Sequence, residues 1–600
     1  FADVSADLLS GVDVYKNPDA EMIEGGIGGT VDLRTRKPFD QDGELIAGSI
    51  NLDYADLHKK GTPSANALYS NRWQTGIGEF GFLLSVDYQD EANRVNEFST
   101  NPNQCVDGVD AVDAPACATN PARQFIPNVI DTRQIDWEQK RLAVSAVGQW
   151  RPNDQWEITV DALRAVADPK DLEYNAPFDL PQTLGNSTYK YGAQGQFVGG
   201  TINNADFENI DTRVGVHHDK TGDYSLHVAY NPSDRWSFSA DLQYIESEAT
   251  NYSMTALINL EAPFTAPTGF ADDPNVAENV TVNLASNQPS VKISPLGPIA
   301  NQGNYYWEAA MDHLEDNFAH AITYRADASY KFSDANGLGW FKSFDVGYRG
   351  ADKQAVTRQT GYNWSLLSAA SWGGSSGGNI AGGAVFLNQT GFTGCGFNDP
   401  STCTLATPVV HNDTSLPNLS AKRAFGTFFG QTFPSFYYVN PSFMFSGTTN
   451  IYNHLKNVET NNFGWVPLNV QAGCPSKTFC LGEFTPNLSS PKADNISGGI
   501  NNQLEKVKSG YMQLNFAHDS FLGIDRPVDG NIGVRVVDTE ETQAPPPLTI
   551  TALTSCTPNA VAPVTATDPP LKSCTDFNSA LQFERNASGG TGSQAISEQG

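Results

Sequence analysis

The sequence contains no long apolar run. No stretch approaches the roughly 18 consecutive apolar residues that a membrane-spanning helix needs. Only 39% of the 600 residues are hydrophobic, and the mean hydropathy is -0.36. The composition therefore excludes a helical membrane protein.

Basic residues are also scarce. The chain has 37 Lys and Arg against 67 Asp and Glu, which gives a net charge of -30. Such a charge repels a phosphate backbone, so nucleic acid is not an expected partner. Glycine, in contrast, occurs 53 times, and the frequent Asn, Ser and Thr indicate many turns and polar loops. These features predict an all-β fold.

Common metal and redox motifs are missing, since neither C-x-x-C nor H-E-x-x-H occurs. The eight cysteines fall as four pairs of near neighbours: Cys105 and Cys117, Cys395 and Cys403, Cys474 and Cys480, Cys556 and Cys574. We interpret them as four local disulfide staples from an oxidising compartment, each contributing about 2–4 kcal/mol to loop order. Four zinc or redox sites are the alternative, but no histidines cluster beside the pairs. We expect no metal site and no cofactor.

Alternating hairpins are what the sequence does contain. In Ala229 to Tyr244, apolar residues from Trp236 to Tyr244 alternate with polar ones after a turn at Asn231-Pro232-Ser233-Asp234, as in a strand with one apolar face. The same pattern occurs around Pro152–Asp154 and around Ser333–Gly339. Further strands are expected at Leu45 to Tyr54, Asn66 to Gln74, Phe80 to Tyr88, Lys508 to His518 and Asn531 to Asp538. Lengths of roughly ten residues match a tilted bilayer crossing.

The connections between these strands alternate in length. Short turns, which also include Gly76–Glu79 and Ser520–Gly530, alternate with segments of roughly 40 to 150 residues, a pattern typical of outer-membrane barrels. All four cysteine pairs fall in the long segments. Aromatic residues beside the short turns would form an interfacial girdle: Trp150, Trp156, Tyr230, Trp236, Phe332 and Trp340. The pattern predicts a transmembrane antiparallel β-barrel in outer-membrane lipid, with a soluble sandwich as the alternative.

The segment Val12 to Asp40, VDVYKNPDAEMIEGGIGGTVDLRTRKPFD, lies before the first of these strands. It contains two short strands separated by a lysine-proline break and a glycine cluster, which permits positive φ angles and close backbone approach. It closely resembles the end of the plug domain of TonB-dependent outer-membrane receptors. The matching residues include Lys16, Pro18, Glu24, Gly25, Gly26, Gly28, Gly29, Thr30, Arg36 and Pro38. Gly530 to Arg535 also resembles a G-N-x-G-x-R strand of these receptors, particularly of a proteobacterial branch often linked to oligosaccharides.

This resemblance implies a 22-stranded barrel filled by an N-terminal plug and driven by the TonB-ExbB-ExbD complex through a TonB box. About 11 strands are recognisable, and the chain begins at Phe1 without a signal peptide. We therefore interpret residues 1-40 as the C-terminal part of the plug and residues 41-600 as the first half of the barrel. The span from Ala351 to Gln503 is long enough to contain two further strands.

Substrate is expected to meet aromatic clusters in the long segments. The candidates are Tyr305, Tyr306, Trp307, Tyr362, Trp364, Trp372, Phe436, Tyr437, Tyr438 and Trp465, with Phe463 beside the last. Sugar rings stack on such side chains. The alternative is that these rings pack the loops against one another.

Other polar motifs have weaker interpretations. Arg34, Arg36 and Lys37 could pair with inward acids such as Asp53, Asp161 or Asp241. The pair His217-His218 is expected in a solvated loop. Gly374 to Gly378 matches G-x-S-x-G, but no strand leads into it, so we assign it no catalytic role.

These observations predict a receptor for uptake across the bacterial outer membrane and not an enzyme. Aromatic and amide groups in an acidic chain favour an oligosaccharide over a ferric siderophore or other metal chelate, which usually needs Arg and Lys. A surface adhesin that uses the stapled loops is an alternative of another class. A secreted glycan-degrading enzyme is a third.

Overall fold

The computed structural model describes residues 9–26, 28–106, 124–180, 187–205, 207, 209–260, 278–285, 289–302, 305–332, 339–360, 362–367, 385–387, 412–413, 420–423, 427–428, 431–432, 435–458, 465–468, 500–518 and 527–544. An N-terminal hairpin is formed by β1 (Leu9–Tyr15) and β2 (Thr30–Thr35), and a 3-10 turn follows at Pro38–Asp40. Residues 9–40 are called the N-terminal segment below.

Long strands form the main sheet. They are β3 (Leu45–Ala55), β4 (Lys60–Thr75), β5 (Gly78–Val106), β6 (Gln124–Asn153), β7 (Trp156–Asn175), β11 (Ile210–Tyr230), β12 (Trp236–Leu260), β15 (Tyr305–Lys331), β16 (Phe341–Arg358), β24 (Ile500–His518) and β25 (Val528–Ala544).

Short elements lie between them. The strands are β8 (Phe178–Asp179), β9 (Thr188–Tyr191), β10 (Phe197–Ala205), β13 (Glu278–Asn283), β14 (Ser290–Ser294), β17 (Asn363–Leu366), β18 (Val385–Leu387), β19 (Asn412–Asp413), β20 (Ser420–Arg423), β21 (Thr427–Phe428), β22 (Gln431–Thr432) and β23 (Phe436–Val439). The helices are α1 (Gly297–Ala300), α2 (Pro441–Met444) and α3 (Thr448–Val458). Within the described ranges, no helix has the length and hydropathy needed to cross a bilayer.

The all-β prediction is confirmed. Eleven strands of the main sheet follow one another in the order β3, β4, β5, β6, β7, β11, β12, β15, β16, β24, β25. Each pairs antiparallel with its neighbour in this order. Tight turns join β4 to β5, β6 to β7 and β11 to β12 at one end of the sheet, called the turn end below. The other end is called the loop end.

One detail of the predicted barrel is wrong, and one possibility that the sequence left open is not realised in the described residues. The strands are longer than roughly ten residues, with 29 in β5, 30 in β6 and 27 in β15, because pairing continues into segments that we interpreted as loops. β16 pairs directly with β24. In the described part of the span from Ala351 to Gln503, no further strand therefore enters the main sheet's meander.

The main sheet has an apolar face and a polar face. On β12, Trp236, Leu242 and Tyr244 are exposed on the apolar face. Between them, Asp241 contacts His227, and Gln243 donates to a carboxylate of the same face. Alternation therefore separates the two kinds of side chain across a single layer.

Aromatic rings border the apolar face on two sides. At the turn end, Trp156 stacks on Tyr230 with ring centroids 4.1 Å apart, and Trp236 lies 4.8 Å from Tyr330. A second row, which was not predicted from the sequence, contains Tyr88, Tyr224, Tyr244, Tyr324 and Tyr348 and is called the tyrosine row below. The ring centroids of Tyr224 and Tyr244 are 6.4 Å apart. Eight residues separate Trp236 from Tyr244, or ~20 Å across a strand tilted by about 40°. The surface between the rows is called the apolar band.

On the loop-end side of the tyrosine row, residues of the same face are buried in a hydrophobic core. Met254 and Ile258 of β12 are 1% and 0% exposed, and by alternation they share a face with Leu242. A second layer covers them. It consists of the four-stranded sheet β14-β13-β10-β9 with β23, α2 and α3, which contribute residues such as Ile202, Val282 and Leu455 to the core.

Candidate functional site

The N-terminal segment lies against the polar face of the main sheet through Glu24. Arg535 of β25 donates to Glu24 Oε2 from Nε at 3.1 Å and from Nη2 at 2.7 Å. Arg349 of β16 donates to Oε1 from Nη1 at 3.4 Å. Both arginine side chains are 12% exposed and that of Glu24 is 29% exposed. One carboxylate therefore joins the N-terminal segment to two strands by charge-assisted hydrogen bonds.

A close backbone contact lies beside this cluster. The Ala20 N–H donates to Gln513 Oε1 at 3.1 Å, and the Ala20 carbonyl accepts from Arg535 Nη1 at 3.4 Å. A Cβ at Gly533 would lie 2.5 Å from the Cβ of Ala20. Only glycine therefore fits at this position of β25, which gives a physical reason for the Gly530 to Arg535 motif.

A second acid, Glu21, contacts the neighbouring strand β15. Its Oε1 accepts from Arg325 Nη2 at 3.1 Å, while Arg325 Nε donates to Asp327 Oδ2 at 2.6 Å. The Tyr511 hydroxyl donates to Asp327 Oδ1 at 2.8 Å. Arg325 is thus held mainly by its own strand, and Glu21 is an exposed addition to that network.

The two acids of the N-terminal segment differ in electrostatics. Burial alone would raise the pKa of Glu24, but its backbone hydrogen bond and the bonds and charges of Arg535 and Arg349 outweigh burial and lower it. At Glu21 partial burial, together with the neighbouring carboxylates of Asp19 and Asp327, exceeds the effect of Arg325 and raises the pKa. Glu24 is therefore the acid whose charge is stabilised by docking.

The end of the N-terminal segment contacts the polar face near the other edge of the main sheet. Phe39 N–H donates to Gln149 Oε1 at 2.7 Å, and its ring lies 4.7 Å from Arg151 Cζ and 5.2 Å from Arg72 Cζ. Pro38 is buried. The segment is thus fixed at two distant places on the polar face.

The other motif residues shape the segment itself. Lys16, Pro18, Gly25, Gly28 and Arg36 are exposed, and Gly26, Gly29 and Thr30 are half-buried. Gly29 has φ +128°, and a Cβ there would lie 2.7 Å from the Tyr15 carbonyl oxygen. The glycine cluster therefore makes the turn that returns the chain from β1 to β2 and presents Glu24.

Some predicted pairings are wrong. Arg34 pairs with Asp13 of its own hairpin at 3.0 Å, not with an acid of the main sheet. Asp241 instead contacts His227 at 2.6 Å. The charge of Lys37 does act on Asp161 of β7, as expected. The hydrogen-bonded ion pairs of Glu21 and Glu24, in contrast, join acids of the N-terminal segment to arginines of the sheet. Alternation places Arg325, Arg349 and Arg535 on the polar face, but no local signal names a partner several hundred residues away.

The histidine pair is also misplaced in the sequence analysis. His217 and His218 lie in β11 rather than in a loop, at 3.2 Å from Asp171 and 2.6 Å from Asp168. Gly374 to Gly378 lies outside the described residues. Within the described ranges, no group of three or more His, Cys, Asp or Glu is arranged to hold a metal ion.

Most aromatic substrate candidates lie inside the loop-end core. Those at most 1% exposed are Tyr305, Tyr306, Trp307, Phe436, Tyr438 and Trp465. Tyr437 is partly buried, with its ring 5.5 Å from that of Tyr305. Tyr362 and Trp364 remain 67% and 42% exposed, whereas Trp372 and Phe463 lie outside the described residues. Accessible ring surface is therefore found at Trp364 and on the side of Tyr362 that does not stack on His313, whose ring centroid lies 4.6 Å away.

Cysteine is described at one of the eight candidate positions. Cys105 at the end of β5 is disulfide-bonded. The other candidates, Cys117, Cys395, Cys403, Cys474, Cys480, Cys556 and Cys574, lie outside the described residues, so the four proposed pairings stay predictions.

Comparison with known proteins gives few matches. No protein-family model matches the chain, and neither does any curated protein. Among solved structures, it is similar to the ferric citrate transporter FecA in its unliganded form, at 9% identity and TM-score 0.14, over 90% of this chain and 85% of that chain. It is also similar to the FrpB iron transporter from Neisseria meningitidis (F5-1 variant), at 9% identity and TM-score 0.10, over 90% and 89%. Scores this low establish neither fold nor function.

Proposed function

We propose that the protein is a TonB-dependent receptor that takes up a scarce nutrient across the bacterial outer membrane. The observation that carries this proposal is the contact of Glu24 with Arg349 and Arg535. It joins the two sequence motifs that resemble this family, and it places the first of them against the polar face of the sheet. A segment held there by a few ion pairs suits a plug that must move.

The apolar band supports the membrane location. Its side chains are exposed, as Leu242 at 51% and Val160 at 52% show, and aromatic rows border it at a spacing near that of a barrel's lipid-facing band. In this proposal, the main sheet is the first half of the barrel and residues 1-40 are the end of the plug. The TonB-ExbB-ExbD complex supplies the energy, and disulfides staple the outer loops.

An oligosaccharide is the substrate that the loop end favours. On its polar face, Arg133 pairs with Glu97 at 3.6 Å and with Glu173 at 3.0 Å, and Arg213 pairs with Glu173 at 3.4 Å. The two arginines thus already face two carboxylates, which disfavours an anionic ferric chelate. Tyr362 and Trp364 offer ring faces for stacking on a sugar.

The test is calorimetric titration of the complete receptor with a panel of neutral oligosaccharides and ferric siderophores. We expect a sugar to bind with micromolar or lower Kd. The double variant Tyr362→Ala/Trp364→Ala should weaken binding at least tenfold, whereas Trp236→Ala, an exposed ring of the turn end, should leave it unchanged. If only ferric chelates bind, the oligosaccharide proposal is rejected and the protein is an iron receptor.

A second readout separates a receptor from an adhesin. Deletion of residues 12-40 from the complete protein should abolish uptake if these residues belong to a plug. An adhesin would be favoured if the deletion left substrate binding by cells unchanged and the parent protein showed no energy-dependent uptake.

A further inference from the structure

A pocket of about 370 Å³ opens on the apolar face immediately beyond the tyrosine row. Its lining includes Arg164, Lys220, Glu246, Glu248 and Phe318, with Tyr244 at its edge. The residues come from four adjacent strands, β7, β11, β12 and β15. The pocket is therefore a feature of the paired sheet and not of a loop.

Strand register fixes the side on which the pocket opens. Tyr244 pairs with Tyr224 and Ile322, and Glu246, two residues farther along β12, pairs with Gly222. Gly222 in turn pairs with Arg164. Paired residues share a face, so the pocket lies on the face opposite to Glu24 and its arginines. It faces the surroundings of the barrel and not its interior.

The charges around the pocket are balanced. Arg164 Nη1 lies 2.6 Å from Glu246 Oε1, and Lys220 Nζ lies 3.3 Å from Glu248 Oε2. These four side chains are 30% to 47% exposed, and surface ion pairs of this kind contribute at most about 1 kcal/mol. They can therefore turn toward hydroxyl groups at little cost. Asp316 also lines the pocket and pairs with Arg358 beside it at 3.3 Å, so each acid of the lining has a cationic partner. A lining of paired charges favours a polyhydroxylated group over a polyanion.

Aromatic rings complete the lining. The guanidinium carbon of Arg358 lies 4.9 Å from the ring centroid of Phe318. The Tyr244 side chain is 38% exposed. Rings beside charged donors and acceptors are the combination that sugars use, because one sugar face is apolar and the hydroxyl rim is polar.

Small side chains lie in the apolar band, on the turn-end side of Tyr244 and Leu242. Ala240 pairs with Ala326, between the larger Leu242 and Phe238 of β12. Ala328, which pairs with Phe238, extends the row of small residues on β15. An acyl chain that leaves the pocket past Tyr244 would contact the exposed side chains of Leu242 and Phe238 and lie over these small residues.

We propose that this pocket binds the sugar headgroup of an outer-leaflet glycolipid, with an acyl chain across Leu242 toward Ala240 and Ala326. The proposal rests on the proposed function, since it requires the apolar band to lie in the outer membrane. A free oligosaccharide shares the headgroup chemistry, and the acyl chain distinguishes the two sources.

The experiment measures lipid retained by the complete receptor. The protein is purified from outer membranes in mild detergent, and glycolipid and phospholipid per protein are quantified by native mass spectrometry. The double variant Arg164→Gln/Lys220→Gln should lower retained glycolipid at least fivefold. Lys170→Gln/Lys506→Gln is the matched control, because it removes two cations from the same face outside the pocket, and it should lower retention less than twofold.

Several outcomes would overturn the proposal. They are equal loss in both double variants, phospholipid in place of glycolipid, no lipid on the parent protein, or full displacement by the deacylated headgroup at the concentration of the intact lipid. Fractionation and uptake assays on the same cells separate the two proposals. Normal insertion and uptake without glycolipid would reject only the pocket, whereas absence from the outer membrane would reject the proposed function.

Discussion

The apolar band and the loop end differ in what covers the same strand face. On β12, Leu242 is 51% exposed in the band, whereas Met254, on the same face toward the loop end, is 1% exposed. In the band the sheet is a single layer, and at the loop end a second layer of strands and helices lies on it. Alternation thus determines which side chains share a face, but it does not determine whether lipid or protein covers them.

The largest effect is expected from truncating matched isoleucines in the two regions. Ile258 is 0% exposed at the loop end and Ile322 is 45% exposed in the tyrosine row. Ile258→Ala should lower the free energy of unfolding by about 2–5 kcal/mol, because it removes buried methyl groups and leaves a cavity. If the apolar band lies in a bilayer, as proposed, Ile322→Ala should cost about 2 kcal/mol or less, since lipid chains would fill the space and only the transfer contribution would be lost.

Denaturant unfolding of the receptor in lipid vesicles measures both changes. Equal losses for the two variants would mean that protein, and not lipid, covers Ile322.

An intermediate effect is expected for docking of the N-terminal segment, which lies on the polar face of the main sheet. Arg535→Gln removes the charged donor that makes two hydrogen bonds to Glu24 and should weaken docking by about 1.5–3 kcal/mol. Arg325→Gln should weaken it less, because Arg325 is held mainly by Asp327 and Glu21 is exposed.

Protease cleavage and amide hydrogen exchange of residues 9–40 report docking in both variants. Faster exchange in Arg325→Gln than in Arg535→Gln would contradict the assignment of Glu24 as the main contact.

The smallest effect is expected from pH. The pKa of Glu24 is lowered by docking, so its contribution is fully present above the ordinary carboxyl pKa of about 4.3 and is lost as pH falls through the lowered value. The pKa of Glu21 is raised, so its effect has the opposite sign and partly offsets that of Glu24. Exchange of residues 9–40 should therefore accelerate modestly below about pH 4, and Glu24→Gln should remove most of the acceleration. Unchanged pH dependence in Glu24→Gln would assign it to other carboxylates.

The sequence predicted the features that depend on near neighbours. The hairpin turn between Tyr230 and Trp236, and the apolar face that follows, are encoded by period-two alternation and turn residues. The strand extensions were missed because Glu246 and Glu248 interrupt the apolar pattern on β12. The covering layer was missed because its strands are short, and β10 contains Gly199 and Gly200.

The candidate site divides in the same way. The motifs around Glu24 and Arg535 are each recognisable, but their pairing is a tertiary fact that neither spacing nor alternation contains. Loop aromatics such as Tyr305 and Trp465 gave the same sequence signal as exposed Trp364, because composition does not distinguish a buried ring from an accessible one.

The distance in sequence between Glu24 and Arg535, 511 positions, sets the order of assembly. The N-terminal segment is synthesised first. Its residues Ala20 and Glu24 contact Gly533 and Arg535, which are synthesised only with β25. Contacts of such long range close late, because the intervening chain must first be ordered. Docking of this segment is therefore among the last steps of folding. Among the described residues, a sheet that has not yet added β25 contacts the Glu24 carboxylate through Arg349 alone.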